Sequence, residues 1–178
     1  MKNYYRDFLI RDWEERDCAE RTPYGDRTPA AEVIRCVLSE YGLGWEPEGA
    51  DGDVLQVEEY YLATGGEFWV IEYQNQLVGT AAYYPITRGE KAVEIRKMYL
   101  LPSVRGLGLG KYLLQELEAA IARSALPKAI ASRGFQQIWI ETASVLTEAV
   151  KLYESNGYQR ATGVKTARCD RVYVKVLH

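Results

Sequence analysis

Arg105-Gly106-Leu107-Gly108-Leu109-Gly110 joins two segments of different periodicity. Upstream, Val93 to Leu101 is rich in β-branched and bulky apolar residues and runs into Pro102-Ser103, which predicts a strand and then a turn. Downstream, Lys111 to Ile121 sets Leu113, Leu114, Leu117 and Ile121 at helical spacing. The glycines therefore occupy a strand-to-helix turn. Such a turn aims backbone N–H groups, and the roughly half positive charge of a helix start, at whatever lies in front of it, most often a phosphate. Two well-known phosphate loops fail on counting. A P-loop ending at Gly110-Lys111 needs glycine at 105, which is Arg, and a hydroxyl at 112, which is Tyr. The dinucleotide fingerprint needs its third glycine at 111, and here it falls at 110.

What does fit is Arg-x-x-Gly-x-Gly at Arg105, Gly108 and Gly110, and in this the chain resembles the GNAT superfamily of acyl-CoA-dependent N-acetyltransferases. The resemblance implies that Arg105, Gly106, Leu107, Gly108, Leu109, Gly110 and Lys111 wrap the pyrophosphate of coenzyme A; the plain alternative is a glycine-rich turn with no ligand. A second stretch, Ala149-Val150-Lys151-Leu152-Tyr153-Glu154-Ser155-Asn156-Gly157-Tyr158, looks like the family's helix end "A-x-x-L-Y-E-x-x-G-F/Y". Ala149, Leu152 and Tyr153 share one helical face, and Asn156-Gly157 is suited to a left-handed stop. By the resemblance, Tyr153 lies beside the thioester sulfur as the general acid for the departing thiolate; otherwise it is a tyrosine packed on a helix face. The chain departs from the pattern at Leu146, where many members carry an Asn that binds the coenzyme A arm.

Size and charge narrow the classes. With 178 residues the chain reads as a single domain, 1–178; the resemblance implies a cofactor-binding core at about 68–158 and acceptor-side helices and a loop at 12–65. A net charge of −3 argues against a nucleic-acid or anionic-membrane partner. Basic residues are scattered except for Lys91, Arg96, Lys97, Arg105 and Lys111 near the glycine loop. Cys18, Cys36 and Cys169 are odd in number and widely spaced, as expected of free thiols in a reducing compartment. The single histidine is His178, so histidine triads and histidine-rich metal sites are not expected, and no metal is called for. No uninterrupted apolar run suggests a signal peptide or a membrane span, so the expected location is cytoplasmic.

Along the chain, the pattern predicts a first strand at Tyr5–Arg11, a loop or broken helix at Cys18–Pro29 and a helix at Ala30–Tyr41 ended by Gly42. A loop at Gly44–Asp53 and a short helix at Val54–Ala63 follow. Strands are predicted at Phe68–Tyr73 and Leu77–Tyr84, joined across Gln74-Asn75-Gln76, and at Ala92–Leu101 after a turn at Thr87–Glu90. The helix after the glycine loop runs to about Ser124, and Lys128–Arg133 adds a turn or two. Last come a strand at Gln137–Thr142, a helix at Thr147–Ser155 and strands at Tyr158–Thr162 and Arg171–Leu177. Hairpins first and alternation later imply an α/β (α+β) fold with a central mixed, mostly antiparallel sheet of about six to seven strands flanked by helices. The GNAT fold has that order, and the resemblance covers Phe68 to Tyr158 well and Tyr5 to Tyr61 loosely.

The function that the resemblance implies is transfer of acetyl from acetyl-CoA, as cosubstrate, to a primary amine by direct attack. The alternatives are a noncatalytic acyl-CoA-binding regulator or an acyltransferase using another thioester. An ammonium with an ordinary pKa near 10.4 must lose its proton at a cost of about 4–5 kcal/mol at pH 7, so a base helps. Glu94 is the first candidate, since the histone-modifying branch carries its glutamate on the corresponding strand; the alternative is an exposed acid paired with Arg96 or Lys97. Glu141, closing the next strand, is the second. Strict alternation puts Glu94, Arg96, Met98 and Leu100 on one face and Val93, Ile95, Lys97, Tyr99 and Leu101 on the other. In the family, the backbone at Met98, Tyr99 and Leu100 pairs with the pantetheine amides. Glu46, Glu48, Asp51, Asp53, Glu58 and Glu59 either draw a cationic amine or are simply solvated. Tyr60, Tyr61, Trp69, Tyr83 and Tyr84 either line an acceptor cleft or form core. A small-molecule or peptide amine is the expected acceptor, and monomer and homodimer are both left open.

Overall fold

The computed structural model describes residues 2–15, 25–89, 91–124 and 134–177. Eight strands form one sheet in the order β1-β2-β3-β4-β5-β6-β8-β7. They are β1 (Lys2–Tyr5), β2 (Phe8–Asp12), β3 (Glu67–Tyr73), β4 (Gln76–Ile86), β5 (Ala92–Leu100), β6 (Gln137–Thr142), β7 (Gln159–Arg160) and β8 (Arg171–Val176). Every neighbouring pair is antiparallel except β5 and β6. The helices are α1 (Arg27–Glu40), α2 (Gly52–Leu55), α3 (Leu109–Ser124) and α4 (Thr147–Ser155).

The sheet carries a separate apolar core on each face. On one side Leu109, Leu113, Leu114, Leu117 and Ile121 of α3, with Tyr153 of α4, pack on Trp69, Ile71, Val93, Ile95 and Ile138. On the other, Ala30, Ile34 and Leu38 of α1 cover Phe68, Val70 and Ala82 with Val54, Val57 and Tyr61. The α3 stripe is the one that the helical spacing predicts.

Several boundaries differ from the sequence expectation. The single strand Tyr5–Arg11 is a hairpin, because Arg6 takes a left-handed φ of 53° and folds β1 back on β2. This is the extra strand that raises the count to eight. The first helix begins at Arg27, so Pro29 sits inside its first turn, where no intrahelical N–H is needed. Val54–Ala63 is not one helix. It divides into the single turn α2 and a wider π-type turn at Glu58–Leu62. The turn after β3 is tighter than expected, with Gln74 at φ 51° and Asn75 at φ 62°, the geometry of a two-residue type I′ hairpin. The strand expected at Tyr158–Thr162 contracts to Gln159–Arg160. The expectations for Cys18, Glu90, Lys128–Arg133 and His178 lie outside the described residues. Among the described residues, no helix is long and apolar enough to cross a membrane.

One polar exception to these cores is a set of charges between α2 and β5. Lys97 Nζ lies 2.6 Å from Asp51 and 3.1 Å from Asp53, and Arg168 forks onto Asp51 at 2.6 and 2.7 Å. Asp51 has no exposed surface. Burial alone would raise its pKa, but the Arg168 hydrogen bond and the Lys97 charge hold it at about 2, below its ordinary 3.8. A depressed carboxylate contributes stability that is present above its unfolded value and lost as pH falls through the folded one. Asp51→Asn is therefore expected to lower unfolding free energy by about 3–5 kcal/mol at neutral pH, because it leaves buried cations uncompensated. Urea titrations should also show the wild type losing this advantage between pH ~4 and ~2. A variant as stable as wild type at pH 7 would show that the cluster does not hold the fold.

Candidate functional site

β5 is regular up to Arg96 and then gains one residue. Arg96 stands opposite Ala82 and Tyr99 opposite Thr80, so Lys97 and Met98 together face Ala81. Lys97 absorbs the bulge with a φ of 51°. The extra residue inverts the alternation. Val93 and Ile95 belong to the α3-side core, and past the bulge Met98 and Leu100 pack on that side while Tyr99 packs on the α1 side. The expected faces are thus corrected: Glu94 and Arg96 do not share a face with Met98 and Leu100. Thr80 pins the bulge from β4 by donating its buried hydroxyl to the Lys97 carbonyl at 2.6 Å.

A second irregularity lies on the other side of the strand. β5 pairs with β6 only as far as Ile95 opposite Ile140. Beyond that, β5 continues along β4 and β6 continues along β8 to Thr142. The two strands splay, and a cleft of about 320 Å³ opens between them. Its walls include Met98, Tyr99 and Leu100 from β5, Thr142 after the splay, Leu146 just before α4, and Ala149, Leu152 and Tyr153 from α4. The glycine loop closes one end through Arg105, Gly106, Gly108, Gly110 and Lys111. The two motifs found in the sequence, though Gly110 and Ala149 are 39 positions apart, therefore line one cavity.

The loop has the expected shape. Gly106 and Gly108 have φ of 76° and 83°, and a Cβ on Gly108 would come within 2.7 Å of the Tyr5 hydroxyl. That hydroxyl donates to the Leu107 carbonyl at 3.1 Å, and the Tyr5 ring stacks on Tyr112 of α3, so the amino-terminal hairpin braces the loop. Leu109, the first residue of α3, is buried and anchors the helix start. The amides of Gly106, Leu107 and Gly108 donate to no backbone carbonyl among the described residues. Together with the first turn of α3 they form a donor-lined anion cradle. The side chain of Arg105, expected with its neighbours to wrap the pyrophosphate, is turned to other partners. Its guanidinium forks onto Glu40 at 2.8 Å on each arm, and its Nε donates to Leu100 O. Lys111, exposed and making no ion pair among the described residues, is the cation left to face an anion.

Tyr153 lines the cleft at the far end of the α4 wall, its ring packed between Tyr158 and Tyr173. Its hydroxyl makes no hydrogen bond among the described residues. Burial, then the neighbouring Tyr99 and Cys169, push its pKa well above the ordinary tyrosine value, so it remains a protonated donor. Burial likewise pushes Tyr99 up to about 12. Glu94 stands beside Tyr84, whose hydroxyl is 3.3 Å from its carboxylate. Burial raises its pKa, the Arg96 charge opposes this and the Glu141 charge adds to it. Glu141 is placed differently: burial would raise it, but the amides of Thr166 and Lys165 and the Arg88 guanidinium hold it below the ordinary range. Of the two acids, Glu94 is the one poised to take up a proton.

Of the other readings, Tyr61, Trp69 and Tyr83 are fully buried core, Tyr61 donating to Asp53 and both Trp69 and Tyr83 to Glu67; Tyr60 is exposed, and Tyr84 stands beside Glu94. Asp51 and Asp53 are engaged by cations and do not lure an amine. Arg168 and Cys169 also line the cleft, from the irregular segment before β8. No periodicity marks that segment in the sequence. No group of three His, Cys, Asp or Glu among the described residues is placed to hold a metal.

A family model for the acetyltransferase (GNAT) domain matches residues 64–160. The chain belongs to the GNAT acetyltransferase family. It is 36% identical over 138 residues to an uncharacterized N-acetyltransferase, YjgM, of Escherichia coli (strain K12), a match covering 75% of this chain and 77% of the relative. Other curated relatives are matched over less than half of their own length. Among solved structures, an acetyltransferase from Streptococcus agalactiae superposes with a TM-score of 0.78 at 22% identity, covering 97% of this chain and 100% of that one. The PaiA N-acetyltransferase of Thermoplasma acidophilum, solved in complex with coenzyme A, gives a TM-score of 0.65 at 15% identity over 96% and 99% of the two chains. In this GNAT chain, the Thr80 hydroxyl holds the bulge through a buried 2.6 Å hydrogen bond. Thr80→Val should cost about 1–3 kcal/mol in unfolding free energy by stranding the buried Lys97 carbonyl; a loss of only a few tenths in urea titration would show that the clamp is dispensable.

Proposed function

We propose that the protein transfers an acetyl group from acetyl-CoA to a primary amine by direct attack. The observation that carries this is the single cleft joining the glycine loop, the splayed edge of β5 and Tyr153. On this reading the amides of residues 106–111 take the diphosphate, with Lys111 adding charge and Arg105 holding the loop. The unpaired edge at Met98, Tyr99 and Leu100 takes the pantetheine amides as an added strand would. Leu146 and Ala149 give the opposite wall an apolar character, in place of the amide that many family members carry there.

The chemistry then follows from Tyr153 in the cleft wall and from Glu94, one residue before the β5 lining begins at Ile95. Glu94 accepts the proton of the acceptor ammonium, through water, and the neutral nitrogen attacks the thioester carbonyl. Backbone donors at the bulge stabilise the oxyanion of the tetrahedral intermediate. As the carbon–sulfur bond breaks, the Tyr153 hydroxyl gives its proton to the leaving thiolate and is later reprotonated from solvent. Cys169 has its thiol pushed up to about 11 by burial, which disfavours the thiolate that a covalent route would need.

Tyr153→Phe is expected to keep coenzyme A affinity, read by calorimetry, while thiol release slows by about tenfold or more. Unchanged turnover would remove the acid role, and no heat with acetyl-CoA at millimolar concentration would remove the whole reading. For Glu94, kcat/KM should rise with pH as its carboxylate forms, along a limb displaced above the ordinary carboxylate range. Glu94→Gln should abolish that limb and lower kcat by roughly 10²–10⁴. A variant with the wild-type pH profile would assign the base elsewhere.

A further inference from the structure

The acceptor end of the cleft is built from charges that nearly all have partners. Lys97 is held by Asp51, Asp53 and the Ala50 carbonyl. Arg168 is forked onto Asp51, and Arg88 bonds Glu141 and the carbonyls of Thr162 and Gly163. Arg96 differs. Its guanidinium donates to the Tyr84 hydroxyl at 3.1 Å and to the Ala50 carbonyl at 3.2 Å, while its nearest carboxylate, Asp53, is 3.5 Å away. A guanidinium has five N–H donors in a planar fork, so two remain without a partner among the described residues once the Asp53 contact is counted. The side chain lines the cleft, retains 20% of its exposure and is stacked against the Tyr84 ring, its Cζ 5.7 Å from the centroid. An arginine that is rigidly backed and has open donors is suited to a planar oxyanion.

Position and charge say what carries that oxyanion. Glu94 and Arg96 precede the bulge and lie two residues apart on one face, with Cα atoms roughly 7 Å apart. Their polar ends meet at the Tyr84 hydroxyl, 3.3 Å from the Glu94 carboxylate and 3.1 Å from the Arg96 guanidinium, so a molecule with its amine toward Glu94 and an anion on Arg96 carries the two groups close together. The four cations Arg88, Arg96, Lys97 and Arg168 face the four carboxylates Glu94, Asp51, Asp53 and Glu141. A zwitterion leaves this balance intact, whereas a polyamine or a lysine side chain brings an uncompensated cation against Arg96 and Lys97. A dianionic phosphate or phosphonate upsets it in the other sense.

Resting on the acetyl-transfer reading, we propose that Arg96 receives a carboxylate of the acceptor, and that the acceptors are free amino acids or amines with a carboxylate equally close to the nitrogen. The test is thiol release from acetyl-CoA with the common amino acids, each compared with its carboxamide, its decarboxylated amine and its aminophosphonate. At least one amino acid should exceed all three of its analogues in kcat/KM by about tenfold or more, since a lost oxyanion leaves the guanidinium unpaired. Arg96→Gln should erase that gap through KM with acetyl-CoA affinity unchanged, and Arg96→Lys should restore part of it. Equal or better turnover of the uncharged analogues or the phosphonates overturns the inference, as does an Arg96→Gln loss shared equally by all four. The wild-type comparison needs no variant to fold. Acetyl-CoA bound with no amino acid acetylated also overturns it, and acetyl-CoA not bound at all removes the transferase reading beneath it.

Discussion

A single added residue in β5 governs the site. Without the bulge at Lys97, β5 would alternate regularly to its end, and the lysine side chain would point into the apolar layer under α3. With it, Lys97 emerges on the α1 side, where Asp51 and Asp53 meet it at 2.6 and 3.1 Å. A buried ion pair adds little net stability over a hydrophobic replacement, but losing one partner is expensive. The cluster therefore acts as a set of mutual constraints. Asp51 fixes the loop before α2, Lys97 fixes the bulge, and Arg168 fixes the segment before β8, so that three parts of the chain distant in sequence converge on one end of the cleft.

The same bulge has a backbone consequence. β5 turns away from β6 after Ile95, and its edge from Lys97 onward lacks a strand partner on that side. An unpaired edge is normally a liability. Here it lies inside a cleft walled by α4, where another chain has no access but an extended molecule with amide groups can pair with it. Strand geometry and charge placement are thus two results of one irregularity, which is why Thr80, whose hydroxyl secures the Lys97 carbonyl, occupies a fully buried position.

Much of this was legible in the chain because the signals are periodic or local. The α3 stripe of Leu113, Leu114, Leu117 and Ile121, the strand Gln137–Thr142, the helix Thr147–Ser155 and the glycine turn all stand where the pattern puts them. The misses share another cause. Nothing in Ala92-Val93-Glu94-Ile95-Arg96-Lys97-Met98-Tyr99-Leu100 marks the position of an inserted residue, because β-bulges depend on the partner strand. Arg6 has no glycine to announce the left-handed turn that makes a hairpin of the amino terminus. Asp51 and Arg168 are 117 residues apart, and acids in a loop otherwise look solvated. What escaped the sequence is long-range pairing of charge.

Arg105 shows how this affects the reading of a motif. Its place in Arg-x-x-Gly-x-Gly suggests a phosphate ligand, yet its fork is closed by Glu40 and its Nε by Leu100 O. With Tyr41 3.1 Å away, it ties the end of α1 to the start of the glycine loop. A bidentate arginine pair is specific in orientation as well as charge. The loop is therefore held from two directions, by Arg105 through α1 and by Tyr5 through the β1–β2 hairpin, while its amides stay unengaged. A cradle of backbone donors binds well only when it does not have to reorganise, and two side chains that never need to touch the anion supply that rigidity. On the proposed reading, the arginine of the motif serves diphosphate binding by holding the loop and not by touching the anion.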